Sequence, residues 1–253
     1  MKNQLACIML LLPFFCAAQN DMIGKEYKWE IAMQMNTLEE LPPIVNLTNF
    51  FQLSGDKKNS SYSLSLVGSY LLKNHSEIKV KAGITSYSFS LDYQTIQSSV
   101  LINESHSELE QKTWAYSVGL AQNFLLDRFL FYGGSDVQIK IFGKYLLNDK
   151  TQAYQNDTLF DIAIINHSVD GGIGLGIGFN VGLNYNLFNR LKLGLEFSSS
   201  LLYSKIGGNL IERNTAYYPN NVLYYDETFI WQDEIKEFNL RRPQSSFYVK
   251  YSF

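Results

Sequence analysis

The sequence is poor in cysteine, proline and charge. Only 2 of its 253 residues are Cys and 5 are Pro. Both cysteines, Cys7 and Cys16, lie near the N-terminus, so the rest of the chain cannot depend on disulfides. The charged fraction is 18%, below the roughly 25% of ordinary soluble domains. The formal net charge is −3 without any block of like charges, which argues against a nucleic-acid partner.

Long hydrophobic runs are also absent. The N-terminal apolar run has 11 residues, fewer than the roughly 20 of a membrane-spanning helix. With the positive start before it and the small residues after it, this run predicts a signal peptide over 1–18, cleaved between Ala18 and Gln19. We expect residues 19–253 to form the mature domain, without cysteine. The alternative, a lipoprotein acylated at Cys16, is a poorer fit because two phenylalanines precede that cysteine.

What the chain does have is aromatic residues and alternation. It contains 17 Phe and 17 Tyr. Apolar side chains recur at every second position, the period that places them on one face of a β-strand. The clearest segment is 173–185, where large apolar residues alternate with Gly and Asn. The other segments are 27–36, 62–72, 78–91, 114–120, 129–145, 191–198 and 247–253. Within 78–91 the alternation changes phase, which predicts a β-bulge.

The connections between these eight segments alternate in length. The short ones lie around 73–77, 123–128 and 186–190, and the long ones span about 37–60, 92–111, 146–169 and 204–243. Outer-membrane barrels of bacteria have short periplasmic turns and long extracellular loops. The pattern therefore predicts an all-β fold, an eight-stranded antiparallel up-and-down transmembrane β-barrel in the outer membrane of a Gram-negative bacterium. Both termini are expected in the periplasm.

A soluble lipocalin-like barrel would have the same period, with its apolar face turned inward. The composition of the polar face favours the membrane, because its Gly, Ser, Asn and Ala suit the narrow lumen of eight strands. Aromatic residues at the strand ends also resemble the girdles at lipid interfaces. The predicted periplasmic girdle is Tyr27, Trp29, Tyr70, Phe129, Tyr185, Tyr251 and Phe253. The predicted outer girdle is Tyr62, Trp114, Tyr116, Tyr145 and Tyr203.

The C-terminus carries the most specific pattern, Phe247, Val249, Tyr251 and Phe253 at alternate positions. It resembles the terminal signal read by the barrel assembly machinery. With the Gly-rich hairpin 174–196, it resembles the outer membrane protein β-barrel domain family, which includes OmpA-like, OmpX-like and PorT-like barrels. The resemblance covers nearly all of the mature chain. It implies the fold, insertion by that machinery and contact with outer-membrane lipid and lipopolysaccharide, but no catalytic residues and no cofactor.

Charged side chains on the polar face are expected inside the barrel. They include Lys28, Glu30, Asp136, Lys140, Lys144 and Glu196, together with Lys79, Lys81, Lys192 and Lys250. Because unpaired buried charges are costly, we expect them to pair across a largely filled lumen. The alternative is a narrow porin-like channel for small solutes.

The histidines are His75, His106 and His167, and a serine follows each. Neighbours on a strand point to opposite faces, so these pairs do not readily form a nucleophile and its base. No His, Cys or Asp cluster has the spacing of metal ligands. We therefore expect no enzyme and no metal site, with a lipid-modifying outer-membrane enzyme as the less favoured alternative.

The last long connection predicts a hairpin over 215–225 with a Pro-Asn-Asn turn. Its aromatic residues, Tyr217, Tyr218, Tyr224, Tyr225 and Trp231, are a candidate binding surface for an extracellular ligand or a secretion component. Alternatively, strands continue above the membrane and these rings pack on one another. The sequence predicts a non-enzymatic barrel that serves envelope structure, surface interaction or a secretion machine.

Overall fold

The computed structural model describes residues 28–38, 56–72, 75–96, 101–126, 128–156, 158–188, 190–241 and 243–253. Ala18 and Gln19, where signal cleavage is predicted, and Tyr27 lie outside these residues. The strands are β1 (Trp29–Asn36), β2 (Asp56–Asn59), β3 (Tyr62–Leu71), β4 (Ser76–Ile96), β5 (Leu101–Leu126), β6 (Phe129–Gln155), β7 (Thr158–Val169), β8 (Gly172–Asn186), β9 (Leu191–Tyr217), β10 (Leu223–Leu240) and β11 (Gln244–Ser252). In the described part of the chain, no helix is long and apolar enough to cross a membrane.

Eight of these strands form a closed antiparallel ring in the order β1–β3–β4–β5–β6–β8–β9–β11. The first strand closes the ring, since Met33 lies opposite both Leu66 of β3 and Val249 of β11. Each neighbouring pair follows the order of the chain, so the topology is up-and-down. The predicted eight-stranded barrel is confirmed.

The outer wall of the ring is apolar and exposed. Met33 is 67% exposed, Val118 58% and Val137 65%, and similar side chains surround them on the neighbouring strands. An apolar surface that encircles a protein is not stable in water and fits a lipid environment. On β5 the outward apolar residues run from Trp114 to Phe124, a length of 11 residues, which suits a tilted strand that crosses the hydrocarbon core. The ring is therefore a transmembrane barrel.

Aromatic side chains mark both ends of this apolar band. At one end, Trp29 packs on Tyr70 with ring centroids 4.6 Å apart, and Phe129 packs on Tyr185 at 5.3 Å. At the other end lie the exposed rings of Tyr62, Trp114, Tyr116 and Tyr203. These positions agree with the predicted girdles, because amphipathic rings are favoured where hydrocarbon meets polar headgroups.

A second sheet rises from one end of the barrel. It has the order β2–β4–β5–β6–β7–β9–β10 and comprises β2, β7, β10 and residues 86–96, 101–112, 143–155 and 205–217 of the longer strands. We call it the upper sheet. In the barrel wall β2 leads into β3, β7 into β8 and β10 into β11, so each pair forms one interrupted strand.

The upper sheet corrects the prediction of long loops. Connections 92–111, 146–169 and 204–243 consist mostly of strand. The connection 37–60 contains β2 and lies largely outside the described residues. Above the apolar band the alternation continues with inverted polarity, because there the outer face meets water and the inner face is covered. The pattern therefore predicts loops where the strands continue.

The phase change in 78–91 has the same cause, and the predicted bulge in β4 is wrong. Register with β5 is unbroken from Ile84 opposite Trp114 to Leu91 opposite Ser107. Odd-numbered residues of β4 point inward throughout. Apolar residues occupy the outward positions up to Ile84 and the inward positions from Tyr87, because lipid lies outside the first stretch and water outside the second.

The bulge lies on β6 instead. Gln111 pairs with Tyr145 and Thr113 with Phe142, so Gly143 and Lys144 both lie opposite the single residue between them on β5. The extra residue shifts the phase of β6. Tyr145 therefore points inward and is 1% exposed, not at the outer girdle as predicted. Lys144 points outward, which corrects its predicted place in the lumen.

Leu109 is fully buried between Tyr145 and Val169 inside the upper sheet. We expect Leu109→Ala to lower the free energy of unfolding by about 2–5 kcal/mol, because it leaves a cavity. Urea unfolding of the refolded protein in detergent, followed by tryptophan fluorescence, measures this. Leu120→Ala on the lipid-facing side of the same strand is the control. Equal losses in the two variants would contradict the inward assignment.

Candidate functional site

A cluster of charges fills the end of the lumen farther from the upper sheet. Lys250 is 3% exposed, and its Nζ donates to Glu30 Oε2 at 2.6 Å and to Glu77 Oε1 at 3.0 Å. Lys192 donates to the other oxygen of Glu30, and Asn123 Nδ2 donates to Glu77 Oε2 at 3.2 Å. These residues come from β1, β4, β5, β9 and β11. We call Glu30, Glu77, Lys192 and Lys250 the lumen cluster.

Glu196 organises the next layer. Its carboxylate accepts hydrogen bonds from Gln34 Nε2 at 3.0 Å and Tyr132 OH at 2.7 Å. Lys79 and Lys81 approach the same carboxylate at 3.9 and 3.8 Å. The ammonium of Lys79 also lies 3.4 Å from the centroid of the Tyr132 ring, a cation–π contact. This layer crosslinks β1, β4, β6 and β9.

Glycines on the inner faces of β8 and β9 make room for two tyrosines. A Cβ at Gly182 would overlap the ring of Tyr132, and one at Gly194 would overlap the ring of Tyr248. The two hydroxyls lie 3.1 Å apart, and Tyr248 OH donates to Asn184 Oδ1 at 2.6 Å. These two glycines therefore create space for bulky inward neighbours.

A cavity of about 60 Å³ lies in the lumen beyond these layers. Since a cavity needs roughly 10–15 Å³ to hold one water molecule on this measure, it has room for a few water molecules. Six of the 19 residues that line it are serines, and the charged residues in the wall are Lys81, Asp136, Lys140, Glu196 and Arg241. Arg241 forms an ion pair with Glu237, with 2.8 Å between Nη2 and Oε1.

Apolar layers close the lumen above the cavity. Phe142, Leu202 and Ile206 form one cluster. Leu109, Tyr145 and Val169 form the next, at the base of the upper sheet. Within the part of the chain that the structure describes, the axis of the barrel thus passes through a charged layer, a small polar cavity and an apolar cap.

The predicted lumen charges are placed as follows. Glu30, Asp136, Lys140 and Glu196 lie inside the barrel. Lys28 is exposed just before β1 rather than enclosed. Lys144 is 64% exposed and pairs with Asp170 at 3.5 Å on the outer face.

Glu77 also lies inside the barrel, on β4, whereas the sequence pattern predicts a turn at this residue. The alternation of β4 could have identified Glu77 as an inward residue, because Glu77, Lys79 and Lys81 share one face of this strand.

His106 lies on the outer face of β5, directly opposite Asp92. Its Nδ1 contacts Asp92, and its Nε2 lies 3.1 Å from Glu108. The hydrogen bond to Asp92 raises the pKa of the imidazole. Ser107 points to the opposite face and donates to Asp149 at 3.0 Å. An Asp–His pair is therefore present, but the adjacent serine is not its nucleophile.

His167 and Ser168 do not form a nucleophile–base pair either. Its Nδ1 pairs with Glu212 at 3.4 Å across the β7–β9 ladder, and Ser168 points to the other face. Among the described residues, no group of three or more His, Cys, Asp or Glu side chains could hold a metal ion.

The predicted hairpin is present between β9 and β10. The amide of Tyr218 donates to Val222 O at 3.0 Å, and that of Asn221 donates back to Tyr218 O at 2.9 Å. Asn221 has a positive φ of 62°, a conformation that Asn tolerates in turns. The second strand of this hairpin extends well beyond residue 225, since β10 continues to Leu240.

The aromatic residues of this hairpin do not form one surface. Tyr225 and Trp231 share a face of β10 with Phe229, which stacks on Trp231 at 5.7 Å. Tyr224 lies on the other face and donates to Asp161 of β7 at 2.7 Å. Tyr218 packs on Tyr224 at 4.5 Å. Tyr217, at the end of β9, is half-buried. Part of the predicted surface is therefore internal packing, and Tyr218, Tyr224, Tyr225 and Trp231 remain exposed.

No protein-family model and no curated protein sequence matches the chain. Among solved structures, it is similar to Neisserial surface protein A, with 10% identity over 90% of this chain and 97% of that chain and a TM-score of 0.36. It also aligns with the outer membrane protein Omp33 of Acinetobacter baumannii, with 9% identity over 90% and 98% of the chains and a TM-score of 0.18. Likeness at this level says nothing about activity, which has to be inferred from the geometry of this chain.

The lumen cluster offers a direct test of its role in stability. Lys250→Met leaves two buried carboxylates without their shared cation, so we expect the free energy of unfolding to fall by about 3–5 kcal/mol. Adding Glu77→Gln to this variant should recover part of the loss, because one uncompensated charge is removed. Urea unfolding in detergent measures both, with Lys144→Met as the matched exposed control. No difference between Lys250→Met and the control would contradict the assigned pairing.

Proposed function

We propose that the protein is an outer-membrane β-barrel that conducts no solute and presents its upper sheet outside the cell as an interaction surface. The observation that carries this proposal is the filled lumen. Charges, tyrosines and an apolar cap occupy it on either side of a small polar cavity. The barrel is then a support for the upper sheet, without transport or catalysis of its own.

The chemistry of the lumen supports a closed state. Each carboxylate of the lumen cluster accepts at least two hydrogen bonds from other strands of the barrel. Opening a path would separate Lys250 from Glu30 and Glu77 in a space of low dielectric, where an unpaired charge is costly. The cavity beyond the cluster is too small for a sugar or an amino acid.

The orientation follows from the connections. Short turns join β3 to β4, β5 to β6 and β8 to β9 at the end of the barrel that also holds the described ends of the chain. In bacterial outer-membrane barrels, short turns and both termini face the periplasm. The upper sheet then lies outside the cell. This placement supports an interaction with an extracellular macromolecule rather than with a periplasmic one.

The edge of the upper sheet supplies the candidate surface. Among the described strands, β10 pairs with β9 alone. It exposes large apolar side chains on both faces: Tyr224, Tyr225, Phe229, Ile230 and Trp231. Exposed aromatic clusters of this kind favour protein–protein contact, and an open strand edge offers backbone groups to a partner.

A narrow channel is the second candidate, and the polar cavity favours it. Lys81, Lys140 and Arg241 in its wall would attract small anions. A channel requires the lumen cluster and the apolar cap to move aside, whereas a closed barrel requires no movement.

We expect the refolded protein to give no stable conductance steps in a planar bilayer, because the lumen cluster blocks the axis. Removing the cluster with Glu30→Ala/Glu77→Ala/Lys250→Ala should still give no stable openings, because the apolar cap of Phe142, Leu202 and Ile206 remains. Slower gel migration after boiling than before checks that this variant is still a barrel. Large, stable openings of the unaltered protein that disappear on substitution of Lys140 would instead establish the channel.

The orientation is tested with introduced thiols, since the expected mature chain has no cysteine. Asn220→Cys lies at the tip of the β9–β10 hairpin, and Asn74→Cys lies in the connection between β3 and β4. A membrane-impermeant maleimide should label Asn220→Cys in intact cells, and Asn74→Cys only after the outer membrane is breached. The reverse pattern would mean that the upper sheet faces the periplasm. Labelling of both only after osmotic release, in soluble protein, would contradict membrane insertion.

A further inference from the structure

Four exposed lysines stand on the outer face of the molecule where the apolar band ends. They are Lys112 on β5, Lys144 on β6, Lys205 on β9 and Lys236 on β10. The last exposed apolar residue below each lysine on the same strand is, respectively, Trp114, Ile141, Tyr203 and Phe238. We call these four lysines the lysine row. Each ammonium is thus held just outside the hydrocarbon, where lipid phosphates lie.

The strand register makes the row continuous. Lys112 lies opposite the bulge that contains Lys144, and Lys205 lies directly opposite Lys236. Only β8 separates the two pairs. With neighbouring strands about 4.8 Å apart, the row spans about 19 Å from β5 to β10.

Among the described residues, the row does not continue onto β4 and β3. On β4 the residue opposite Lys112 is Ser86, and on β3 the residue opposite Ser86 is Tyr62. These positions carry no charge. A uniform ring of lysines would indicate general attraction to an anionic membrane, whereas a row on one side indicates a site.

Carboxylates neutralise the row only in part. Asp170 lies 3.5 Å from Lys144, and Glu234 lies 2.8 Å from Lys205 and 2.9 Å from Lys236. Glu110 follows Lys112 on the same face of β5, farther from the apolar band. Four cations thus face three carboxylates, and the side chains of Lys144, Lys205 and Lys236 remain more than half exposed. Their donors are accessible to a further anion.

We propose that the lysine row binds the phosphates of lipid A, the membrane portion of lipopolysaccharide. Lys buries its methylene stem along apolar surface and keeps its ammonium at the polar boundary, where it donates to phosphate oxygens. A row of about 19 Å suits a disaccharide headgroup with two phosphates. A phospholipid with one phosphate engages only part of it. The exposed rings below the row then contact acyl chains. This inference rests on the proposed function, because lipopolysaccharide meets the row only if the upper sheet faces outward.

Native mass spectrometry of the intact protein in detergent tests the inference directly. The protein is titrated with bisphosphorylated lipid A, monophosphorylated lipid A or phosphatidylglycerol. We expect the tightest binding for the bisphosphorylated form. In the variant Lys112→Gln/Lys144→Gln, its affinity should fall at least about tenfold, as expected for two lysines at an anionic interface. Lys205→Gln/Lys236→Gln should weaken it similarly.

The matched control is Lys58→Gln/Lys150→Gln, which removes the same charge from the outer face of the upper sheet farther from the lipid. It should bind lipid A as the unaltered protein does. An equal loss in this control, or equal affinity for phosphatidylglycerol and bisphosphorylated lipid A, would overturn the site in favour of general charge attraction. Unchanged heat-dependent gel migration confirms that each variant is folded.

The failure of this inference is separable from the failure of the proposed function. If Asn220→Cys is labelled in intact cells but the lysine variants bind lipid A normally, the site is wrong and the orientation is right. If Asn74→Cys is labelled in intact cells instead, the row faces the inner leaflet and both are wrong.

Discussion

The hydrogen-bonded seam between β1 and β11 holds the ring closed. It aligns Glu30 through Asn36 with Ser246 through Ser252. Hydrocarbon offers no partner to backbone amides and carbonyls, so a sheet in lipid has to satisfy both edges by closing on itself. The first strand in the barrel must therefore meet the last. Among the described residues, the seam ends with Asn36 opposite Ser246, so it closes the ring over the apolar band, and the described strands of the upper sheet run from β2 to β10.

Closure at eight strands also decides what the interior can contain. The lumen is just wide enough for side chains to fill it, so two large rings fit only where Gly182 and Gly194 stand opposite them. Charged groups in this space have no bulk water and must neutralise one another. Lys250 between Glu30 and Glu77 is the result. The same contacts that satisfy these charges join distant strands across the lumen, so stability and closure to solutes have a common origin.

The boundary of the membrane organises the outer surface in turn. On β4 and β5, apolar side chains leave the outer face at Ile84 and Trp114 and appear on the inner face at Tyr87 and Leu109. On β5, Lys112 takes their place outside, at the end of the apolar band. The proposed surface on β10 and the proposed lipid site both follow from this change of faces: one uses apolar residues outside the membrane, and the other uses cations at its edge.

The sequence by itself determined the transmembrane barrel. The period of two in segments such as 173–185, the small residues between the apolar ones and the aromatic ends all depend on the local chain and on the lipid outside it. Tertiary structure decided the rest. The pattern predicts a loop over residues 104–111 because their apolar partners, such as Tyr145 and Val169, come from other strands. The bulge at Gly143 and Lys144 depends on the register with β5, so Tyr145 and Lys144 were placed on the wrong faces. Likewise, the partners of Glu77 and Lys250 lie on strands far apart in the chain. Alternation reports which environment a face meets, whereas pairing across the lumen depends on closure, and closure is a property of all eight strands together.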